Sequence, residues 1–136
     1  MKKLFLLVLP LVVAGCSLTP VTPDTTEPII PTQASSCPQT TAVSKITVYR
    51  DTGFTGNGVD IRVALDGTEV ARLKVNQKTT MCVDGSKPHY LNLTQYFRQG
   101  VSIPVFEKSN VEHLVRTGFD GGGAVYGVIE ETKPLK

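Results

Sequence analysis

The chain has 136 residues, a formal net charge of +2, 12 Gly, 9 Pro, three Cys and no Trp. At about 100–200 residues per domain, that length fits one domain and excludes a multidomain machine or a large α/β enzyme built on a cofactor fold. Lys2 and Lys3 carry the surplus charge, and the other 12 basic residues balance 12 acidic ones, so the body lacks the basic surface that nucleic acid requires.

Met1-Lys2-Lys3 precedes an apolar run from Leu4 to Val13. A short positive region joined to about ten apolar residues has the form of a secretory signal, and it is shorter than the roughly 20 residues that span a bilayer. Ala14-Gly15 then stands directly before Cys16, giving VVAGC. This segment resembles the lipobox of bacterial lipoproteins, in which small residues admit a peptidase and the following cysteine becomes the new N-terminus. The resemblance implies that residues 1–15 are a cleaved signal peptide. It also implies that Cys16 carries a diacylglyceryl thioether and an N-acyl chain such as palmitate. Two or three acyl chains anchor a protein stably where one does not. Ser17 in place of Asp implies an outer-membrane anchor, with the domain facing the periplasm or the cell surface.

Residues 16–41 continue as a Pro- and Thr-rich linker, with prolines at 20, 23, 28, 31 and 38. Such a composition predicts a disordered, semi-extended tether, and in a polyproline-like form the 20 residues from 17 to 36 reach roughly 60 Å. With Cys16 acylated, Cys37 and Cys82 remain. In an oxidising compartment an even pair is expected to form a disulfide. It closes a loop of about 46 residues, worth roughly 4 kcal/mol in the chain-entropy model. Redox use of the pair lacks a C-x-x-C spacing.

From residue 42 the pattern is that of a β domain extending to 136. Ile46 and Val48 alternate with Thr47 and Tyr49, and Val59, Ile61, Val63 and Leu65 alternate with Asp60, Arg62 and Ala64. Asp66-Gly67 signals a hairpin into Ala71, Leu73 and Val75. A two-residue turn pairs positions so that Arg72 lies beside Ile61 on the core face. An odd-length loop with a left-handed Gly67 keeps Ala71 and Leu73 with Ile61 and Val63, and this second form is expected. Further strands are predicted at 79–83, 90–93, 101–105, 112–117 and 124–130. A short helical turn is predicted over 93–99, capped by Thr94 and ended by Gly100. Seven or eight short strands joined by turn clusters give an all-β fold, a small antiparallel sandwich or barrel.

The stretch VYRDTGFTGNGVDIRVALDGTEVARLKVNQ resembles the opening of small bacterial lipoprotein domains of unknown function. There a VYR strand and a Gly-rich loop lead into a V-x-L-D-G-x-x-V-A-x-L hairpin. The matching residues are Val48-Tyr49-Arg50, Gly56, Val63, Leu65-Asp66-Gly67, Val70-Ala71 and Leu73. The resemblance implies a β-sandwich on a lipid anchor and brings no catalytic residues.

His89 and His113 lack metal-ligand spacing and read as surface or turn residues. The serines show no nucleophile elbow. Gly118-Phe119-Asp120-Gly121-Gly122-Gly123 is not followed by Gly-Lys-Ser/Thr, so the Gly-rich loop 118–123 reads as a mobile hairpin rather than a phosphate loop. Phe119 in that loop is a candidate contact residue, as are Tyr96, Phe97 and Arg98, whose composition suits an interface as well as a core. Asp51, Asn57 and Asp60 could approach one another around the loop 53–58 and hold Ca²⁺, although their spacing matches no known calcium loop. No catalytic residue, cofactor or metal is expected. The reading is a non-enzymatic envelope lipoprotein whose β domain binds or scaffolds another envelope component, a protein or a glycan. The alternatives are an inhibitor of a lysozyme or protease and, further off, a hydrolase.

Overall fold

In the computed structural model the described residues are 21–30, 37–38, 41–52, 58–96 and 98–136. Among them every regular element is a strand: β1 (Glu27–Pro28), β2 (Val43–Arg50), β3 (Ile61–Leu65), β4 (Thr68–Leu73), β5 (Gln77–Asp84), β6 (His89–Gln95), β7 (Arg98–Val105), β8 (Val111–Phe119) and β9 (Val125–Pro134). They form two sheets. Sheet A has the order β1-β5-β2-β8-β9 and sheet B the order β4-β3-β6-β7. Alternation decides the layers, because every second residue turns inward. Ile46, Val48, Met81, Val83 and Val115 of sheet A meet Ile61, Val63, Ala71, Leu73, Leu91 and Leu93 of sheet B in one apolar core. The all-β sandwich expected from the alternation is the fold. The pairing is not antiparallel throughout, since β2 runs parallel to β8 and β1 parallel to β5.

The β3–β4 hairpin corrects the expected turn while keeping the expected faces. Asp66 and Gly67 form a two-residue turn with φ of 49° and 84°, closed by Leu65 opposite Thr68. A bulge at Val63/Ala64 then restores the parity, so that Val63 faces Ala71 and Ile61 faces Leu73. The helical turn expected over 93–99 is absent. β6 runs extended through Gln95, which pairs with Arg98. A strand continues there because Leu91 and Leu93 are core residues on an alternating face, which a helical turn would rotate away.

Part of the linker is also not a free tether. Glu27 N donates to Asn76 O (2.9 Å), Ile29 N donates to Lys78 O (2.8 Å), and Thr26 is buried. Pro28 is tolerated because β1 is an edge strand. Further along β5, Cys37 is bonded to Cys82 with a Cα–Cα distance of 4.8 Å. The described linker residues therefore meet β5 twice, and β1 takes up the start of the edge that sheet A would otherwise offer for pairing with another chain.

The sandwich has two ends. The starts of β3, β5, β7 and β9 and the turns 74–76 and 120–124 lie at one end, where Pro23 also accepts a hydrogen bond from Lys78 Nζ. The turns 66–67, 85–88 and 106–110 lie at the other.

Candidate functional site

Alternation and parallel pairing bring Tyr49 of β2 beside Arg116 of β8 on the outer face of sheet A. Arg116 Nε donates to Asp51 Oδ2 at 3.0 Å and its Nη1 to Glu130 Oε1 at 3.3 Å, while the Tyr49 hydroxyl donates to Glu130 Oε2. Tyr126 Oη reaches the same Asp51 oxygen at 3.3 Å, and Thr52 N donates to its other oxygen at 2.7 Å. Burial works to raise the Asp51 carboxyl, but the Arg116 hydrogen bonds and charge outweigh it and hold Asp51 below its ordinary range. Burial, followed by the Glu130 carboxylate, pushes the Tyr49 phenol upward, and burial with the Asp51 charge does the same for Tyr126. The Asp51 bond raises Arg116 further. Each carboxylate is thus answered by a donor, and the network ties β2, β8 and β9 together across a parallel pair, which is the weaker kind of ladder. Sequence reasoning missed it, because Tyr49 and Asp51 come beside Arg116 only once β2 and β8 are adjacent.

Both histidines are buried, contrary to their reading as surface or turn residues. His89 Nε2 donates to the Asp84 carbonyl at 2.9 Å, and its Nδ1 lies 2.6 Å from Asp66 Oδ2. Asp66 also accepts from Tyr90 N at 2.8 Å. Burial raises this carboxyl, yet the Tyr90 N–H and then His89 bring it below its ordinary value. His89 therefore locks two turns together at the far end of the sandwich. His113 Nδ1 lies 2.9 Å from Thr132 Oγ1, and burial, followed by the Lys108 charge, lowers its pKa. Among the described residues no carboxylate is hydrogen-bonded to His113 to complete a triad.

Of the four interaction candidates, Phe119 is displaced. It is the last residue of β8, only 7% exposed, and the Arg50 guanidinium stands 5.1 Å from its ring centroid. The ring is apolar and joins the core, while the loop beyond it turns tightly on Asp120, whose carboxylate accepts from Gly122 N and Ala124 N, both at 2.9 Å. The Gly-rich stretch is thus a closed hairpin turn. Phe97, Cys16 and Asn57 lie outside the described residues, as do residues 1–20, while Arg98 opens β7. The Ca²⁺ idea loses Asp51 to Arg116, and among the described residues no cluster of three His, Cys, Asp or Glu is formed.

Among the candidates whose exposure is described, Tyr96 reaches the surface, at 66% exposed in the β6–β7 turn. Arg62, projecting from the outer face of β3, stands 4.4 Å from its ring centroid, a cation–π geometry. Arg72 lies opposite Arg62 on β4, and its Nε donates to Glu69 Oε1 at 2.6 Å; Arg62 shares that carboxylate at 3.8 Å. With Gly58, Val59 and Asp60, the side chains of Arg62, Arg72 and Tyr96 line a cleft of about 330 Å³, within the range of small-ligand and side-chain sites. It offers an aromatic face, two guanidinium forks and a carboxylate, a set suited to stacking and hydrogen bonding. Arg62 and Arg72 were not singled out from the sequence, where each reads as an exposed strand position.

No protein-family model, no curated protein and no solved structure matches this chain.

Proposed function

We propose that the protein is a non-enzymatic, lipid-anchored lipoprotein of the cell envelope whose β-sandwich binds or scaffolds another envelope component at the Tyr96 cleft. The observation that carries the reading is that cleft, with its stacked Arg62–Tyr96 pair. VVAGC with its acylated Cys16 supplies the anchor, an outer-membrane one by the identity of Ser17. The resemblance of the Val48–Leu73 stretch to small bacterial lipoprotein domains points the same way.

The test is crosslinking in cells followed by pull-down and mass spectrometry. It compares the full protein, a Cys16→Ser form that cannot be acylated, and a Tyr96→Ala, Arg62→Ala form. Enrichment of a membrane-bound envelope protein by the first form, lost from both others, is the expected result. Capture of a soluble lysozyme or protease by all three forms overturns the scaffold reading in favour of inhibition.

A further inference from the structure

The anchor proposed above and the docked linker together fix how the domain meets the membrane. Cys16 and Pro23 are seven positions apart, and Pro23 already accepts a hydrogen bond from Lys78 at the start of β5. At about 3.6 Å per residue, the most a chain can span, that contact lies within about 25 Å of the acylated cysteine. If the disulfide were the first attachment, the same chain would reach roughly 60 Å.

The direction of approach is also set. β1 runs parallel to β5, so the chain enters at the end where β5 begins. Register carries that end across both sheets. Tyr49 lies opposite Lys78, Arg50 beside Thr117, Ile61 opposite Leu73, and Arg62 opposite Thr94. The turns at 74–76 and 120–124 and the Tyr96 cleft therefore share the end from which the anchor departs. With strands of eight to ten residues at about 3.3 Å each, the other end is about 30 Å farther away.

We infer that this end of the sandwich is a membrane-apposed surface, held against the headgroups of the leaflet in which Cys16 is anchored. β1 acts as the clip that shortens the tether. The inference rests on the lipoprotein reading. The occupant is the bilayer, because the seven positions from Cys16 to Pro23 keep this end within about 25 Å of it, whereas the other end lies about 30 Å farther off. The cleft is consequently presented at the membrane surface rather than deep in the aqueous space.

The experiment uses the full, acylated protein reconstituted in vesicles of phosphatidylethanolamine and phosphatidylglycerol that contain a headgroup spin-labelled lipid. A fluorophore is placed at Lys74→Cys in the near end or at Lys87→Cys in the far end, with the native disulfide closed. Quenching several-fold stronger at position 74 than at 87 is expected. A Glu27→Pro, Ile29→Pro variant removes the two N–H donors that dock the linker on Asn76 and Lys78. In it, quenching at 74 should fall to the level seen at 87. Equal quenching at the two positions in the acylated wild-type background overturns the inference and leaves the anchor reading standing. A mass spectrum showing an unacylated Cys16 overturns both.

Discussion

Arg50 gives the sharpest test of how the sandwich is held. It is 1% exposed and turns inward from β2, yet its Nη1 reaches sheet B, donating to Val59 O at 2.5 Å and Leu73 O at 2.8 Å. Its guanidinium also stacks on Phe119. Burial depresses its pKa, with the Asp60 charge opposing that shift. Arg50→Met keeps most of the apolar volume and deletes the donors. Leaving the buried Leu73 carbonyl and the half-buried Val59 carbonyl unpaired costs up to about 1–3 kcal/mol each, and the lost cation–π contact adds a fraction of that, while the desolvation of the charge is recovered. The net expectation is about 3 kcal/mol of destabilisation, a fall in Tm of about 12–24 °C for a body of this size. Thermal unfolding followed by circular dichroism reads it directly. A fall of only a few degrees would refute the reasoning, because it would mean that recovering the charge's desolvation offsets both carbonyls.

Three further outcomes follow from the same structure. Cys82→Ser should lower stability by roughly 4 kcal/mol, as expected for opening a loop of about 46 residues; urea unfolding checks this against the reduced wild type, which should match it. Gly118→Ala places a methyl group 2.9 Å from the Tyr126 ring across the β8–β9 ladder, so it should cost about 1–3 kcal/mol in the same assay. Acid should destabilise the fold. His113 and the carboxyls of Asp51 and Asp66 all have folded pKa values below their ordinary ones, so the unfolded chain binds these protons more readily. Stability from His113 is present above its unfolded value of 6.5 and is lost as pH falls below it; that from the carboxyls is present above 3.8 and is lost below it. Urea midpoints that stay constant from neutrality down to pH 3 would contradict this account.

The layers of the sandwich were legible because strand alternation is local. Val59 to Leu65 and Ala71 to Leu73 declare their inward faces without reference to anything distant. The hairpin shows where locality ends. Parity correctly demanded that Ala71 oppose Val63, but the demand is met by a bulge rather than by an odd loop, and a bulge leaves no composition signal. The β2–β8 pairing joins segments more than 60 residues apart, so the Tyr49–Arg116–Asp51 network, which depends on it, was invisible. Linker docking was hidden for a different reason. Glu27 and Pro28 argue against a strand, and β1 exists only because β5 supplies an edge ladder for it. Phe119 was misplaced by its Gly neighbours, since Gly118 lies within β8 and the turn begins one residue after Phe119. Within the cleft Tyr96 was found, while Arg62 and Arg72 gain their role only from cross-strand pairing.

The central claim is that a lipid anchor at Cys16 delivers this sandwich to a membrane. The most direct measurement is the intact and N-terminal peptide mass of the protein purified from the membrane fraction. The account predicts a mature chain that starts at Cys16, bears a diacylglyceryl group and an N-acyl chain, and loses both in Cys16→Ser. A chain that retains residues 1–15, or one that starts at Cys16 without lipid, would contradict it.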